Sequence, residues 1–243
     1  HIVQDLTSDM GTELGLTVKN SAYKRSGYSF AGEDFNRTAG HHENYLSVIP
    51  PVSGAADRER HPLHRALSSY LATRGVWAGA GLVADNRFLL TQKQSSISFI
   101  GANKITVEGN KPAYLIHAGQ NGFTQVEVRL GDGNMSDWAI MTKHAFTSFV
   151  LRLIEHGEFP ARLFVVSGQA DRILHDSARL KHIPTEQGYM HPAKHQRLIA
   201  EECIELTRSH DSIPAEEIEA AYEVATVCRQ IESMDHSLEG ASL

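Results

Sequence analysis

The sequence contains little cysteine, no long apolar run and no excess of positive charge. Two of its 243 residues are cysteines, which argues against a disulfide framework and indicates a reducing compartment. No apolar run approaches the roughly 20 residues that a membrane-spanning helix needs. The formal net charge is -6, so the composition gives no sign of a basic surface for nucleic acid or for an anionic membrane. These absences predict a soluble, cytoplasmic protein that binds neither nucleic acid nor membrane.

The hydrophobic fraction of 41% is enough for a substantial core. Its patterning predicts four helices, which run from His61 to Gly75, from Ser136 to just before Gly157, from Pro192 to about Arg208 and from Pro214 to about Met234. Strand-like runs are found at Leu14–Val18, Val76–Ala84, Phe88–Thr91, Ala113–Ala118, Thr124–Leu130 and Leu163–Val166. Because several strands precede a mainly helical end, we expect an α+β fold with an antiparallel sheet and helices packed on one side.

Two of these elements have the strongest patterns. Within Thr124–Leu130, apolar and polar residues alternate, which predicts one face on the core and one polar face. In the helix after Ser136, Trp138, Met141 and Phe149 fall along one apolar stripe. In the preceding helix, Gly75 is placed to supply a left-handed C-terminal cap.

The segment from His41 to Leu46 (HHENYL) is a polar cluster that runs into apolar residues. Adjacent imidazole and carboxylate groups, such as His42 and Glu43, can bind a divalent metal or a phosphate-bound magnesium. Neighbouring histidines are a weak signal, and an ordinary hydrogen-bonded loop is the more common origin of such a cluster. The residues alone leave both interpretations open.

The segment from Gly131 to Asp137 (GDGNMSD) joins the clearest strand to the strongest helix. A glycine-bearing turn at a helix N-terminus can hold an anion through its backbone amides. The same pattern is also typical of a simple turn with Ser136 as the N-cap. The spacing does not separate these two interpretations.

Taken in order, these motifs resemble those of the Pup ligase and depupylase family (proteasome accessory factor A type). His41–Leu46 is similar to the family's HENYL motif, and Leu130–Asp137 is similar to its VGDSNMSE motif. Weaker likenesses lie at Val18–Asn20, Tyr70–Arg74, Leu90–Lys93 and Ile231–Asp235. The resemblance covers most of the chain.

The resemblance implies a glutamine-synthetase-like antiparallel sheet, with residues 1–243 forming the central part of a single catalytic domain. The family's N-terminal Glu-x-Glu strand and its C-terminal third have no counterpart in this sequence. The implied activity is an ATP- and Mg²⁺-dependent ligase that joins a carboxylate to an amine as an isopeptide through an acyl phosphate. The alternatives are an amide hydrolase of the depupylase type and a degenerate member that only binds a partner. The implied partner is a protein or small-molecule carboxylate substrate, with a second chain or fragment completing the site.

The resemblance also implies a set of site residues, although it identifies no catalytic residue. Glu127 departs from the family, because it stands where the family has a cation or an imidazole. It either acts as a metal ligand or needs Arg129 or His117 to compensate its charge. The expected metal ligands are His42, Glu43 and Glu127, and the expected nucleotide-binding residues are Asn20, Asn44, Lys93 and Arg129.

Overall fold

The structure is a computed structural model that describes residues 40–51, 60–79, 82–84, 87–91, 97–102, 111–119, 121–132, 136–176 and 182–240. The predicted strand at Leu14–Val18 and the predicted nucleotide-binding residues Asn20 and Lys93 lie outside these residues. The strands are β1 (Gly40–Ser47), β2 (Leu82–Ala84), β3 (Arg87–Leu89), β4 (Phe99–Ala102), β5 (Pro112–Ala118), β6 (Thr124–Asp132), β7 (Ile183–Thr185) and β8 (Gly188–Met190). The helices are α1 (Pro62–Ala78), α2 (Asp137–Glu155), α3 (Ala170–Asp176), α4 (Pro192–Leu206) and α5 (Ala215–Gly240), with a short 3-10 turn at Ala161–Leu163.

The main sheet has four strands in the order β1-β6-β5-β4. The pairs β1–β6 and β5–β6 are antiparallel, as the sequence predicted, but β4 and β5 are parallel. A parallel pair needs a crossover connection instead of a tight turn, and residues 103–111 separate these two strands. The predicted α+β class is confirmed, and the expectation of a purely antiparallel sheet is wrong at this edge.

One face of the sheet packs against α1 and α2, and we call it the interior face. Val126 and Val128 of β6 are fully buried there, whereas Gln125, Glu127 and Arg129 alternate onto the opposite, outer face. Side chains of the interior face bond directly to the two helices: Tyr114 to Ser68 of α1, and Tyr45 to His144 of α2. The prediction of helices on one side of the sheet therefore holds for β1, β5 and β6.

Helix α1 extends past Gly75 to Ala78, so the expected cap at Gly75 and the expected strand from Val76 are wrong. Tertiary contacts explain the extension. The Trp77 indole donates a 2.9 Å hydrogen bond to Gln196 and packs edge-on against Phe146, with ring centroids 5.7 Å apart. The helix is capped at Gly79, whose amide donates to the Gly75 carbonyl. A Cβ at Gly79 would lie 2.0 Å from the Leu90 carbonyl oxygen, so this close approach requires glycine.

Helix α2 begins and ends close to the predicted positions, but its buried face differs from the predicted stripe. Of the predicted stripe, Phe149 is fully buried, whereas Trp138 and Met141 are 46% and 43% exposed, and Phe146 and Val150 complete the buried face. The predicted strand at Leu163–Val166 is replaced by the 3-10 turn and an isolated bridge from Val165 to Thr185. Helix α4 matches its prediction to within two residues at each end. Helix α5 begins one residue after the predicted start and extends to Gly240, past the predicted end near Met234. Among the described helices, none is long and apolar enough to cross a membrane.

Candidate functional site on the outer face of the sheet

The candidate site is formed where β1 and β6 pair. The ladder places Asn44 opposite Glu127, so both side chains project from the outer face. The register shifts between His41 and Glu43, where β6 contains one residue more than β1. This bulge places two residues, Arg129 and Leu130, opposite His42. Bulges re-aim side chains and are common beside functional sites.

Three charged or titratable side chains meet at this bulge, and we call them the outer-face triad: His42, Glu127 and Arg129. The Nδ1 atom of His42 lies 3.0 Å from Oε1 of Glu127. The Nε atom of Arg129 lies 3.3 Å from the same oxygen. The side chains of His42, Glu127 and Arg129 are 41%, 21% and 20% exposed, so the triad is partly shielded but still open to solvent.

The groups around Glu127 favour the ionised form of its carboxylate. The hydrogen bond from His42 lowers the pKa of Glu127, partial burial opposes this shift, and the charges of Arg129, His42 and His117 lower the pKa further. The Asn44 side-chain oxygen accepts a 3.0 Å hydrogen bond from Gln125 on the same face. The predicted site residues His42, Asn44, Glu127 and Arg129 are therefore brought together.

One donor of the triad is unused within the described part of the chain. The Nη1 atom of Arg129 is buried and has no hydrogen-bond partner among the described residues. A buried donor without a partner carries a desolvation penalty, which an anionic oxygen would relieve. Guanidinium groups bind phosphate oxygens through charge-assisted hydrogen bonds, so this position fits a nucleotide phosphate.

Glu43, the third expected metal ligand, lies on the interior face. It is fully buried, and its two oxygens accept hydrogen bonds of 2.8 Å from Nη1 and Nη2 of Arg74. The Tyr45 hydroxyl donates a further 2.8 Å hydrogen bond to Glu43. Burial alone would raise the pKa of Glu43, but the charge and hydrogen bonds of Arg74 lower it to about 2.

The expected set of metal ligands is therefore divided between two faces of the sheet. His42 and Glu127 lie on the outer face, and Glu43 lies beneath them with both oxygens engaged. Among the described residues, no group of three or more histidine, cysteine, aspartate or glutamate side chains is arranged to hold a metal ion. A magnesium ion often takes only one or two protein carboxylates and completes its shell with substrate phosphates and water. On the outer face, Glu127 fits that role.

Two interior cations close to Glu43, namely Arg74 and Lys143, were not among the residues that the sequence predicted for the site. Helical spacing could have identified both. Arg74 lies four residues after the fully buried Tyr70, and Lys143 lies three residues before the fully buried Phe146. Each cation therefore shares a helix face with core residues, a placement that is rare unless the charge is paired.

Comparisons with known proteins point to one family. A family model described as Pup-ligase protein matches residues 31–241. A Pup--protein ligase from Corynebacterium diphtheriae is 28% identical over 179 residues, which cover 71% of this chain and 36% of the relative. Another, from Bifidobacterium animalis subsp. lactis, is 33% identical over 138 residues, which cover 55% of this chain and 25% of the relative. The chain thus matches about a quarter to a third of the length of these curated relatives.

Two solved structures share the fold. The complex of the prokaryotic ubiquitin-like protein Pup with its ligase PafA matches with a TM-score of 0.62 and 19% identity, covering 84% of this chain and 43% of that chain. The Pup ligase PafA in complex with ADP matches with a TM-score of 0.62 and 17% identity, covering 97% of this chain and 53% of that chain. At these identities the likeness establishes the fold, and function has to be argued from the site.

Proposed function

Because the chain belongs to the Pup-ligase protein family, we propose that it carries the nucleotide-binding sheet of an ATP- and Mg²⁺-dependent ligase. The ligase would join a carboxylate to an amine. In such a reaction a carboxylate oxygen attacks the γ-phosphorus of ATP and ADP leaves. The amine then attacks the acyl carbon of the acyl phosphate and displaces phosphate. The described residues would lie in one catalytic domain, and the protein would act in the cytoplasm.

The observation that carries this proposal is the unused Nη1 donor of Arg129 on the outer face, in a fold shared with an ADP-bound ligase. Phosphoryl transfer depends mainly on positioning and on cations that offset the charge of the transferring group. Arg129 would offset phosphate charge, and His42 and Asn44 would orient the nucleotide beside it. Magnesium, when bound, would supply further positive charge, with Glu127 as its protein ligand. Asn20 and Lys93 remain proposed nucleotide contacts from the resemblance alone.

The carboxylate substrate would be a Pup-like protein, since PafA forms a complex with Pup. The test measures ADP formation by the chain, alone and with any co-purifying chain or fragment, in the presence of Mg-ATP, a Pup-like protein and an amine acceptor. ADP formation that requires both substrates supports the proposal. Arg129→Ala should lower the rate by about 10²–10³-fold, the usual scale for losing one charge-stabilising donor. Arg208→Ala is the matched control, because Arg208 bonds an exposed neighbour, Glu205, and should leave the rate unchanged. Absence of ADP formation under these conditions would contradict the proposal.

A second candidate function, partner binding without catalysis, has one observation in its favour. Glu127 already contacts both His42 and Arg129, so these two outer-face groups are engaged by a carboxylate of the chain itself. Glu127→Gln separates the candidates. If Glu127 is the magnesium ligand of a ligase, the substitution should weaken Mg-ATP binding. If Glu127 only keeps Arg129 and His42 from contacting a phosphate, the substitution should create or strengthen ATP binding. No observation on the described residues favours the depupylase-type hydrolase, and we do not propose it.

A further inference from the structure

Lys143 of α2 is buried directly behind the candidate site. Its side chain is fully buried, and its Nζ donates a 3.0 Å hydrogen bond to the backbone carbonyl of Asp132. Asp132 is the last residue of β6, the strand that carries Glu127 and Arg129 on its outer face. The lysine thus connects the helix layer to the end of the strand that forms the site.

The surroundings of Lys143 are ionic instead of apolar. Glu43, Arg74 and Asp132 are all buried nearby, and each acts on the lysine electrostatically. Burial lowers the pKa of Lys143 to about 8, against the opposing charges of Glu43 and Asp132. The lysine offsets the charge of the buried carboxylates, so removing it alone would be destabilising. Its hydrogen bond to the Asp132 carbonyl additionally specifies where the end of the strand lies.

Among the described residues, the pairing between β1 and the end of β6 is short. Beyond the bulge, two residue pairs of this part of the chain join β1 to β6, namely Gly40 with Asp132 and His41 with Gly131. A small cavity lies against this end and is lined in part by Gly75, Gly131 and Asp132. The bond from Lys143 is a specific restraint on where the strand ends. Arg129 lies three residues before Asp132 in the same strand, so a shift of the strand end would change how the bulge presents Arg129 to His42.

We propose that Lys143 is a positioning residue that fixes the end of β6 and thereby the placement of Arg129 in the outer-face triad. This inference rests on the proposed function where it concerns the nucleotide. It assigns no contact between Lys143 and the substrate, since the lysine lies on the interior side of the sheet.

The test compares Lys143→Met and Lys143→Arg with Val150→Ala, a control that removes buried packing from the same face of α2. Amide hydrogen exchange at residues 130–132 is measured first, without nucleotide. Mg-ATP affinity is measured second, by calorimetry. Lys143→Met should accelerate exchange at residues 130–132 and raise the Kd for Mg-ATP by about tenfold, the scale of one lost charged hydrogen bond. Lys143→Arg should change both the exchange rate and the Kd less than Lys143→Met does. Val150→Ala should lower the Tm while leaving the Kd within about twofold.

Unchanged exchange at residues 130–132 in Lys143→Met overturns the inference, whatever happens to ATP. An equal loss of affinity in Val150→Ala also overturns it, because the effect would then reflect general destabilisation. If the unsubstituted chain binds no Mg-ATP, the proposed function fails, while faster exchange in Lys143→Met still supports the role of the lysine at the strand end. The exchange and affinity readouts therefore distinguish the two failures.

Discussion

Replacing Glu43 by glutamine tests whether this residue is a structural anion or a metal ligand. The substitution preserves the shape of the side chain and removes its charge, so Arg74 would be left buried without a counter-ion. The side chains of Arg74 and Glu43 are 2% and 0% exposed. Breaking a buried ion pair by removing one partner destabilises a protein by about 3–5 kcal/mol. We expect Glu43→Gln to lower the free energy of unfolding by this amount at pH 7.

The pKa of Glu43 gives an independent estimate of the same magnitude. Its pKa is lowered from 4.5 to about 2 in the folded chain, which corresponds to about 3 kcal/mol at neutral pH. A depressed carboxyl pKa stabilises the fold above the unfolded-state pKa of 4.5 and loses this contribution as pH falls towards 2. Roughly 2 kcal/mol of it should be lost by pH 3. Glu43→Gln should lack this part of the acid dependence.

The assay is urea unfolding of the original chain and of Glu43→Gln between pH 7 and pH 3. Glu186→Gln is the matched control, because Glu186 pairs with Arg65 at the surface, where a salt bridge contributes about 0–1 kcal/mol. If Glu43→Gln destabilises no more than Glu186→Gln, the buried ion pair is refuted. A large loss of Mg²⁺ affinity without loss of stability would instead make Glu43 the metal ligand that the sequence suggested.

Two further predictions concern the packing around α1. His195 is fully buried between Thr73 and the Leu163 carbonyl, and burial lowers its pKa from 6.5 to about 4. The neutral ring therefore stabilises the fold above pH 6.5, and the free energy of unfolding should fall by roughly 2 kcal/mol by pH 5. In urea unfolding, His195→Gln should lose less stability over this pH range than the original chain. An equal loss in both chains would contradict the prediction. Gly79→Ala should lower the free energy of unfolding by about 1–3 kcal/mol, because the added methyl group would clash with the Leu90 carbonyl oxygen. An unchanged Tm would show that residue 79 and the Leu90 carbonyl are not in close contact.

The sequence predicted those elements whose pattern is local. The alternation in Thr124–Leu130 correctly separated the buried Val126 and Val128 from Glu127 on the outer face. The boundaries of α2 followed from Ser136 at its start and Gly157 after its end, where a φ of 73° suits glycine. Such signals depend only on neighbours along the chain, so they are readable without the fold.

The same alternation, applied to β1, would have separated His42 from Glu43. The two residues are adjacent in a strand, so they point to opposite faces and cannot share an ion from the same side. The composition of this segment favours a loop or a metal motif, and only the period of a strand separates the two side chains. The ion pair from Glu43 to Arg74 of α1 depends on tertiary packing, which adjacent residues do not encode.

Tertiary contacts also decided where α1 ends and which face of α2 is buried. Trp77 was assigned to a strand because Val76–Ala84 is apolar and rich in small residues. In the fold its indole reaches Gln196 of α4, which keeps the last turn helical. The apolar spacing of α2 predicts Trp138 in the core, yet Trp138 is exposed because the buried stripe begins later, at Thr142.

The most direct test of the account is calorimetric titration of Mg-ATP into the chain, into Arg129→Ala and into Arg208→Ala. We expect Mg²⁺-dependent binding by the original chain and by Arg208→Ala. Binding should be at least about tenfold weaker for Arg129→Ala, because Arg129 offers the unused donor on the outer face. Equal affinities for all three chains would contradict the account, because the nucleotide would then bind away from the outer-face triad.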